Sequence, residues 1–445
     1  MTPSSPPNTR NELDMFRSRL DNILNRRHPL FVFADKIDWT FFEKEFGVLY
    51  VERMGRPGLP IRLLVGLHYL KHTYRESDES VVEKFLENPY WQYFCGFEFF
   101  QHHFPLDPST LVRWRKRVGP EGMEKLFKET IAVAQRENLL RRSDVSRAIV
   151  DTTVQEKAIA FPTDARLYHK ARRTLVRAAK GTGIELRQTY EHLGTRAFQR
   201  QSRYAHARQG KRAKRETRKL RTYLGRVIRD LQKKCPTPSP RLANLLATAQ
   251  RIFFQKRQDS PKVYSVHAPE TECIAKGKAH KKYEFGCKVS VVSTAKKNWV
   301  IGIGALHGNP YDGHTLKGAV EQAQKMTGWK IADAFVDRGY RGAAKEVPEV
   351  NVHLSWKKNP AIRRWLKRRA AIEPIISHLK FDNGMDRNYL KGTVGDRMNA
   401  ILAGCGFNLR KLLRSFLAFI FGWLFVHRSE REDRFLPLSF GFNAA

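Results

Sequence analysis

Ala148-Ile149-Val150-Asp151-Thr152-Thr153 is the stretch on which the fold turns. Three apolar residues ahead of an aspartate read as a buried strand that delivers a carboxylate at its end. The pattern returns at Ala334-Phe335-Val336-Asp337, followed at once by Arg338-Gly339-Tyr340. Glu373 lies between Arg368 and Lys380, in a stretch with helical periodicity. Two strand-end aspartates and a helix glutamate form a hard oxygen set that selects two Mg²⁺ (or Mn²⁺) ions. Such a pair can clamp the attacking and leaving oxygens of a phosphoryl displacement. Asp151 could instead cap a helix or a turn, but its place after three apolar residues argues for the strand. Asp333 competes with Asp337, since four positions apart on one strand they share a face. Asp337 is preferred because a metal can approach the strand's end.

Around these residues the elements read outward. The run from Arg147 to Phe161 is a strand that continues past Asp151 or turns back in a hairpin. Strands follow at 283–293 and 299–306, separated by Thr294-Ala295-Lys296-Lys297. A helix spans about 313–326, then come the Asp337 strand, a short strand at 351–356 and the long helix with Glu373. On that helix Arg369, Glu373, Ser377 and Lys380 fall on one face. Arg369 and Lys380 can grip phosphate oxygens beside a metal-binding glutamate; the alternative is ordinary helix-surface charge.

The chain has 445 residues and a formal net charge of +37, with a pI near 10.2. That length holds two or three domains. That charge points to a polyanion, because each phosphate neutralised releases counterions. A chromatin-like basic protein without chemistry and an anionic membrane surface are the competing readings. Cys95, Cys235, Cys273, Cys287 and Cys405 are scattered and none forms a Cys-x-x-Cys pair. A zinc site is therefore not expected, and the thiols fit a reducing, cytoplasmic setting. His267, His280, His307 and His314 show no His-x₃-His spacing and read as structural or DNA-contacting. Gly302, Gly304 and Gly308 lack the Lys-Ser/Thr partner of a nucleotide loop. The apolar run Phe416 to Val426 is too short for a bilayer span of about 20 residues, and reads as a buried C-terminal helix or a dimer contact.

Residues 1 to about 8 read as disordered, and 1–140 as an all-α region. Ile61, Leu64, Val65, Leu67 and His68 mark one helix face after Pro60. Val81, Val82, Phe85 and Leu86 mark a second helix, capped by Ser77-Asp78. A third follows Asp107-Pro108-Ser109, with Leu111, Val112 and Trp114 inward and Arg113, Arg115, Lys116 and Arg117 outward. A basic last helix suggests a helix-turn-helix-like DNA reader, against the alternative of a plain bundle with a solvated face. The segment 165–258 is a basic insertion: Arg166 to Arg257 holds 26 Lys and Arg against 4 Asp and Glu. Leu220, Leu224, Val227 and Leu231, then Leu242, Leu245, Leu246, Ala249 and Phe253, flank the Pro-rich break after Cys235. They predict an antiparallel helical hairpin with basic outer faces. Lys211, Arg212, Lys214 and Arg215 are its candidate DNA contacts, in a stretch (209–215) that could also be a disordered arm.

The chain resembles bacterial insertion-sequence transposases with a DDE triad, and among them the insertion-sequence five group. The resemblance covers about residues 50–415. It rests on the order of Val150-Asp151-Thr152-Thr153, His267-Ala268-Pro269-Glu270, Lys282-Tyr283-Glu284-Phe285-Gly286, Gly308-Asn309-Pro310-Tyr311-Asp312-Gly313-His314-Thr315, Asp337-Arg338-Gly339-Tyr340, Ile372-Glu373-Pro374 and Met385 to Gly392. It implies an RNase H-like α/β catalytic core (145–420, a mixed sheet flanked by helices), interrupted by the basic helical hairpin. An all-α N-terminal domain precedes the core and a C-terminal tail (421–445) follows it. The first two aspartates would lie on adjacent central strands, with the glutamate helix over them. Related transposases carry a Tyr-Arg-Glu-Lys signature. Arg369, Glu373 and Lys380 match it, while Leu366 stands at the tyrosine position and Trp365 is a candidate replacement.

The implied reaction is Mg²⁺-dependent cleavage at the ends of a DNA element and strand transfer to target DNA, with Asp151, Asp337 and Glu373 as catalytic metal ligands. The implied partners are double-stranded DNA, terminal inverted repeats and target DNA, and further copies of the chain in a homodimer or larger synaptic assembly. No membrane is implied, and the setting is the bacterial cytoplasm, at the nucleoid. A structure-selective nuclease of the same fold and a domesticated DNA-binding protein that no longer cuts are the alternatives.

Overall fold

The computed structural model describes residues 18–50, 58–104, 106–275, 282–354 and 360–432, with side chains left aside at 360–361 and beyond Leu417. The expected disordered start (1 to about 8), His280 and the last residues of the strand expected at 351–356 lie outside the described residues.

Strand β1 (Arg147–Glu156) is the middle of the sheet. Ala148, Ile149, Val150 and Val154 are fully buried, as a central strand covered on both faces requires. The other strands are β2 (Glu272–Ala275), β3 (Tyr283–Thr294), β4 (Val300–Leu306), β5 (Asp333–Val336) and β6 (Asn351–Leu354). β3 pairs antiparallel with β1 on one side. β5 pairs parallel with β1 on the other, and β6 continues parallel beyond β5. β4 and β2 pair antiparallel along successive parts of the far edge of β3.

Asp151 does not end β1. The strand continues past it, still paired with β3, and its parallel pairing with β5 ends at Ile149 opposite Phe335. Asp151 therefore stands where β1 and β5 part company.

Before the sheet come α1 (Leu20–Ile23), α2 (Pro29–Lys36), α3 (Trp39–Gly47), α4 (Ile61–Tyr74), α5 (Asp78–Glu87), α6 (Pro89–Phe94), α7 (Pro108–Arg136) and α8 (Arg142–Val145). Ser77 and Ser80 form a reciprocal capping box on α5, and Asp107 caps α7. Helix α7 breaks at Gly119 (φ +70°), directly before Pro120. The expected inward face of α7 holds for Leu111 and Trp114, but Val112 is exposed. Arg115 also departs from expectation. It is 2 % exposed and makes a two-pronged ion pair with Asp78 of α5 at 2.7 and 2.5 Å, with Lys71 of α4 on the same carboxylate at 2.7 Å. Its guanidinium locks α7 to α4 and α5 instead of reaching solvent.

The insertion is larger than a hairpin. It holds α9 (Asp164–Gly181), α10 (Glu191–His206), α11 (Gly210–Lys234) and α12 (Pro240–Phe254). The two expected helices are α11 and α12, and α9 packs on both. Leu175, Val176, Leu220, Leu224, Leu231, Leu246 and Ile252 belong to an apolar core separate from that of the sheet.

Helix α13 (Asp312–Thr327) connects β4 to β5, and α14 (Pro360–Arg368) and α15 (Ile372–Phe381) follow β6, joined by a 3₁₀ turn at Arg369–Ala371. The last element is α16 (Gly392–Glu432). The apolar run from Phe416 lies inside this helix, with Phe416 packed on the core. The expected tail from 421 is thus helical as far as Glu432. α16 lies against α4, α7 and β4. Where it meets α4 the backbones almost touch: a Cβ on Gly406 would sit 2.4 Å from the His72 carbonyl oxygen. Asn383 Nδ2 donates to the same carbonyl at 2.9 Å. One continuous apolar core runs from Leu30 through the sheet to Leu412. The N-terminal helices and the sheet therefore share a core.

Candidate active site

Ile149 pairs with Phe335, so two residues further along each parallel strand Asp151 and Asp337 come side by side. This is the crevice beyond the carboxyl ends of parallel strands, where open α/β sheets bind ligands. Asp151 Oδ1 accepts the Thr152 backbone N–H at 2.7 Å, and Oδ2 lies 3.7 Å from Arg369 Nη1. Asp337 caps the 3₁₀ turn Arg338–Tyr340 by accepting the Gly339 N–H at 2.8 Å.

Asp333 is occupied elsewhere. Its carboxylate contacts His353 at 2.8 Å and Arg147 at 3.7 Å, at the start of β5 and away from its Asp337 end.

A fourth carboxylate joins them. Asp312, at the first turn of α13, accepts from Thr152 Oγ1 at 2.9 Å and from Lys288 Nζ at 3.1 Å. Lys288 Nζ also donates to the Pro310 carbonyl at 2.6 Å. The positive end of the helix favours an anion there. A Cβ built on Gly339 would stand 3.0 Å from both Asp312 Oδ2 and Asp337 Oδ1. A larger residue at 339 would press on both carboxylates. The sequence analysis did not single out Asp312, although it lies in the Gly308 to Thr315 stretch that carries the resemblance. Lys288 alternates with buried strand neighbours and gave no signal.

Beneath the carboxylates lies Tyr340, 1 % exposed, whose hydroxyl has no hydrogen-bond partner of good geometry. Burial raises its pKa first, and Asp151 and Asp312 raise it further. A buried neutral hydroxyl under several carboxylates is a hard-donor environment short of positive charge, and it fits an oxygen-seeking dication.

Glu373 is exposed on α15, which packs on β1 through its buried Ile372, Ile375 and Leu379. Among the described residues Glu373 has no hydrogen bond or ion pair, and Asp151, Asp337 and Glu373 are not gathered as one metal-ligand cluster. Arg369, one turn ahead, is the member of that face that touches Asp151. Lys380, two turns beyond Glu373, is half-buried. Trp365 does not point at the carboxylates as a replacement tyrosine would. It packs 6.2 Å from Phe335 and carries the Arg147 guanidinium at 4.9 Å.

The candidate DNA contacts divide. Arg113, Lys116 and Arg117 are exposed, with Arg117 over the Tyr50 ring at 4.8 Å. Arg115 is buried in its ion pair and is withdrawn from that group. Lys211, Arg212, Lys214 and Arg215 are all exposed on the first turns of α11, in a helix and not a disordered arm. Among the histidines, His267 sits with Ser265 and Lys170, and His314 is exposed beside Tyr311.

Residues 18–117 match the family model described as a transposase domain (DUF772). A Rhizobium meliloti protein described as uncharacterized protein ORF8 in the nfe locus is 54% identical over 209 residues, 47% of this chain and 100% of that protein. The chain belongs to that protein's family, and the matched domain makes it transposase-like. No solved structure matches it. No helix among the described residues is long and apolar enough to cross a membrane.

Proposed function

We propose that the chain is a DDE transposase of the insertion-sequence five type, cutting DNA at the ends of a mobile element and joining them to target DNA. The observation that carries this reading is the juxtaposition of Asp151 and Asp337 at the parting of β1 and β5, under the helix that bears Glu373. The strand order supports an RNase H-like core: β1, β3 and β4 run antiparallel, β5 and β6 add parallel to β1 on the other side, and β2 is a further edge strand on β3.

Asp151, Asp337 and Glu373 would hold two Mg²⁺ or Mn²⁺ ions, which when bound polarise the scissile phosphate and its attacking water. Lys288 and Thr152 hold Asp312 in place beside them. Arg369, against Asp151, and Lys380 would take phosphate oxygens once DNA enters. The freed 3′-hydroxyl then attacks a target phosphodiester, and no covalent protein intermediate is needed. The exposed cations of α11 hold the duplex by its phosphates. Two ends must be cut in concert, so the working form is a dimer or larger assembly of this chain.

The test is incubation of the full chain with Mg²⁺ and labelled DNA carrying the sequences that flank the gene. Nicks at the element boundary and joined products are expected, and an Asp151→Asn chain should bind the same DNA without cutting. Binding without any cleavage by the unsubstituted chain would favour a DNA-binding protein that no longer cuts.

A further inference from the structure

About 13 Å along β1 from Asp151, opposite Gln155, a second set of ligating groups is gathered by elements distant in sequence. Cys287 of β3, His307 just past β4 and Asp396 in the first turns of α16 each bring one ligand atom within 4.8 Å of the other two. Cys287 is 1 % and Asp396 3 % exposed.

The surroundings orient all three. Asp396 Oδ1 already accepts from Lys157 Nζ at 2.7 Å and Asn388 Nδ2 at 2.6 Å, while Oδ2 faces His307 Nε2 at 3.9 Å. That Nε2 is buried and has no hydrogen-bond partner. His307 Nδ1 lies 3.6 Å from Glu272 Oε1, which also accepts the Gly308 N–H at 2.7 Å. A carboxylate behind one ring nitrogen, with the other turned into a cluster of ligands, is the usual support of a metal-bound histidine. Cys287 Sγ is held by Gln155 Nε2 at 3.6 Å. Around these ligands Lys157 pairs with both Glu270 and Asp396, and Glu272 pairs with His307, so carboxylates outnumber the lysine in a largely buried site.

We propose that Cys287, His307 and Asp396 bind a zinc ion that pins the start of α16 to the sheet. One thiolate, one imidazole and one carboxylate suit Zn²⁺ better than the all-oxygen preference of Mg²⁺ or Mn²⁺. Three protein ligands leave the fourth position to water. The thiol, raised by burial, gives up its proton to solvent as the metal binds. The ligands come from three segments, which is why no Cys-x-x-Cys spacing announces the site. It is a different site from the carboxylates around Asp151 and stands or falls separately from them.

The test uses the full chain prepared without chelator and without a histidine tag. Elemental analysis should find zinc at about one per chain, retained on dialysis against metal-free buffer. Exchange with Co²⁺ should give the intense near-ultraviolet absorption of a cobalt–thiolate bond, which carboxylate-bound cobalt lacks. Cys287→Ser and His307→Ala should lose zinc and that absorption. Asp151→Asn and Glu373→Gln should keep both, whatever they do to DNA cleavage. Should a Cys287 variant not fold, the unsubstituted chain still decides: stripping its zinc with a strong chelator should lower its melting temperature, and zinc added back should restore it. No retained zinc and no cobalt–thiolate band in the unsubstituted chain would overturn the proposal, as would a band that persists in a folded Cys287→Ser chain. His307 and Asp396 would then be an ion pair and no metal site.

Discussion

The guanidinium of Arg369 lies 3.7 Å from the carboxylate of Asp151, both about four-fifths buried. A cation on a proposed metal ligand competes with the metal. Arg369→Ala should therefore bind Mn²⁺ more tightly than the unsubstituted chain, yet cleave DNA about 100-fold more slowly, the scale of losing one preorganised donor at a reacting phosphate. Overall DNA affinity should barely change, because it is spread over many phosphates. Manganese titration by calorimetry beside a cleavage assay separates the two effects. Equal losses of binding and cutting would make Arg369 ordinary surface charge.

The carboxylates should behave as a set with one outsider. Asp151→Asn, Asp337→Asn and Glu373→Gln should each abolish cleavage and leave DNA binding intact, since each removes a hard anionic ligand far from the basic surfaces. Asp312→Asn should also reduce cleavage, by loosening the hold on Thr152 and Lys288. Asp333→Asn should keep cleavage but lower the melting temperature, because it breaks the interaction with His353. A chain that cuts normally with Asn at 337 but not at 333 would reverse the assignment.

What was legible in the sequence follows the range of the interactions involved. Most strands and helices of the core were readable because their periodicities are local, and Asp151 and Asp337 because each follows an apolar triplet, while α9, α10 and β2 were not. Asp312 was not, since its partners Thr152 and Lys288 come from other strands. The apolar seams of α11 and α12 stood out, but α10 buries only Gly194 and Ala197 and so carries little pattern. The shared core of the N-terminal helices and the sheet depends on α16, an element distant from both in sequence.

Arg115 shows the same limit, with a measurable consequence. Burial alone would raise the Asp78 carboxyl, but Arg115 and Lys71 hold it below the ordinary carboxylate range. A depressed carboxylate adds stability above its unfolded pKa of about 3.9 and loses it as the pH falls toward the folded value. Arg115→Ala should cost about 3–5 kcal/mol, the range for breaking a buried pair. It should also flatten the acid limb of stability against pH. Arg113→Ala, Lys116→Ala and Arg117→Ala should leave stability nearly unchanged and weaken recognition of the element ends. Melting curves from about pH 6 down to about pH 2, the side on which a depressed carboxylate loses its contribution, check the first claim. A freely tolerated Arg115→Ala would return that residue to the DNA-facing group.

The insertion should act as a grip without sequence preference. Lys211, Arg212, Lys214 and Arg215 project from the start of α11. Their helix is anchored from the opposite side by Leu220, Leu224 and Leu231. Replacing the four cations by Gln keeps that apolar seam, so the fold should survive. Binding should weaken alike on element ends and on random DNA. The slope of log K against log salt should flatten by roughly 0.9 for each phosphate that the protein no longer neutralises. Preference for the element ends should persist, because it is assigned to the exposed cations of α7. Salt titrations of both chains on both DNAs decide the matter. A variant that keeps its slope but no longer distinguishes the two DNAs would make α11 the reader of sequence and α7 the grip.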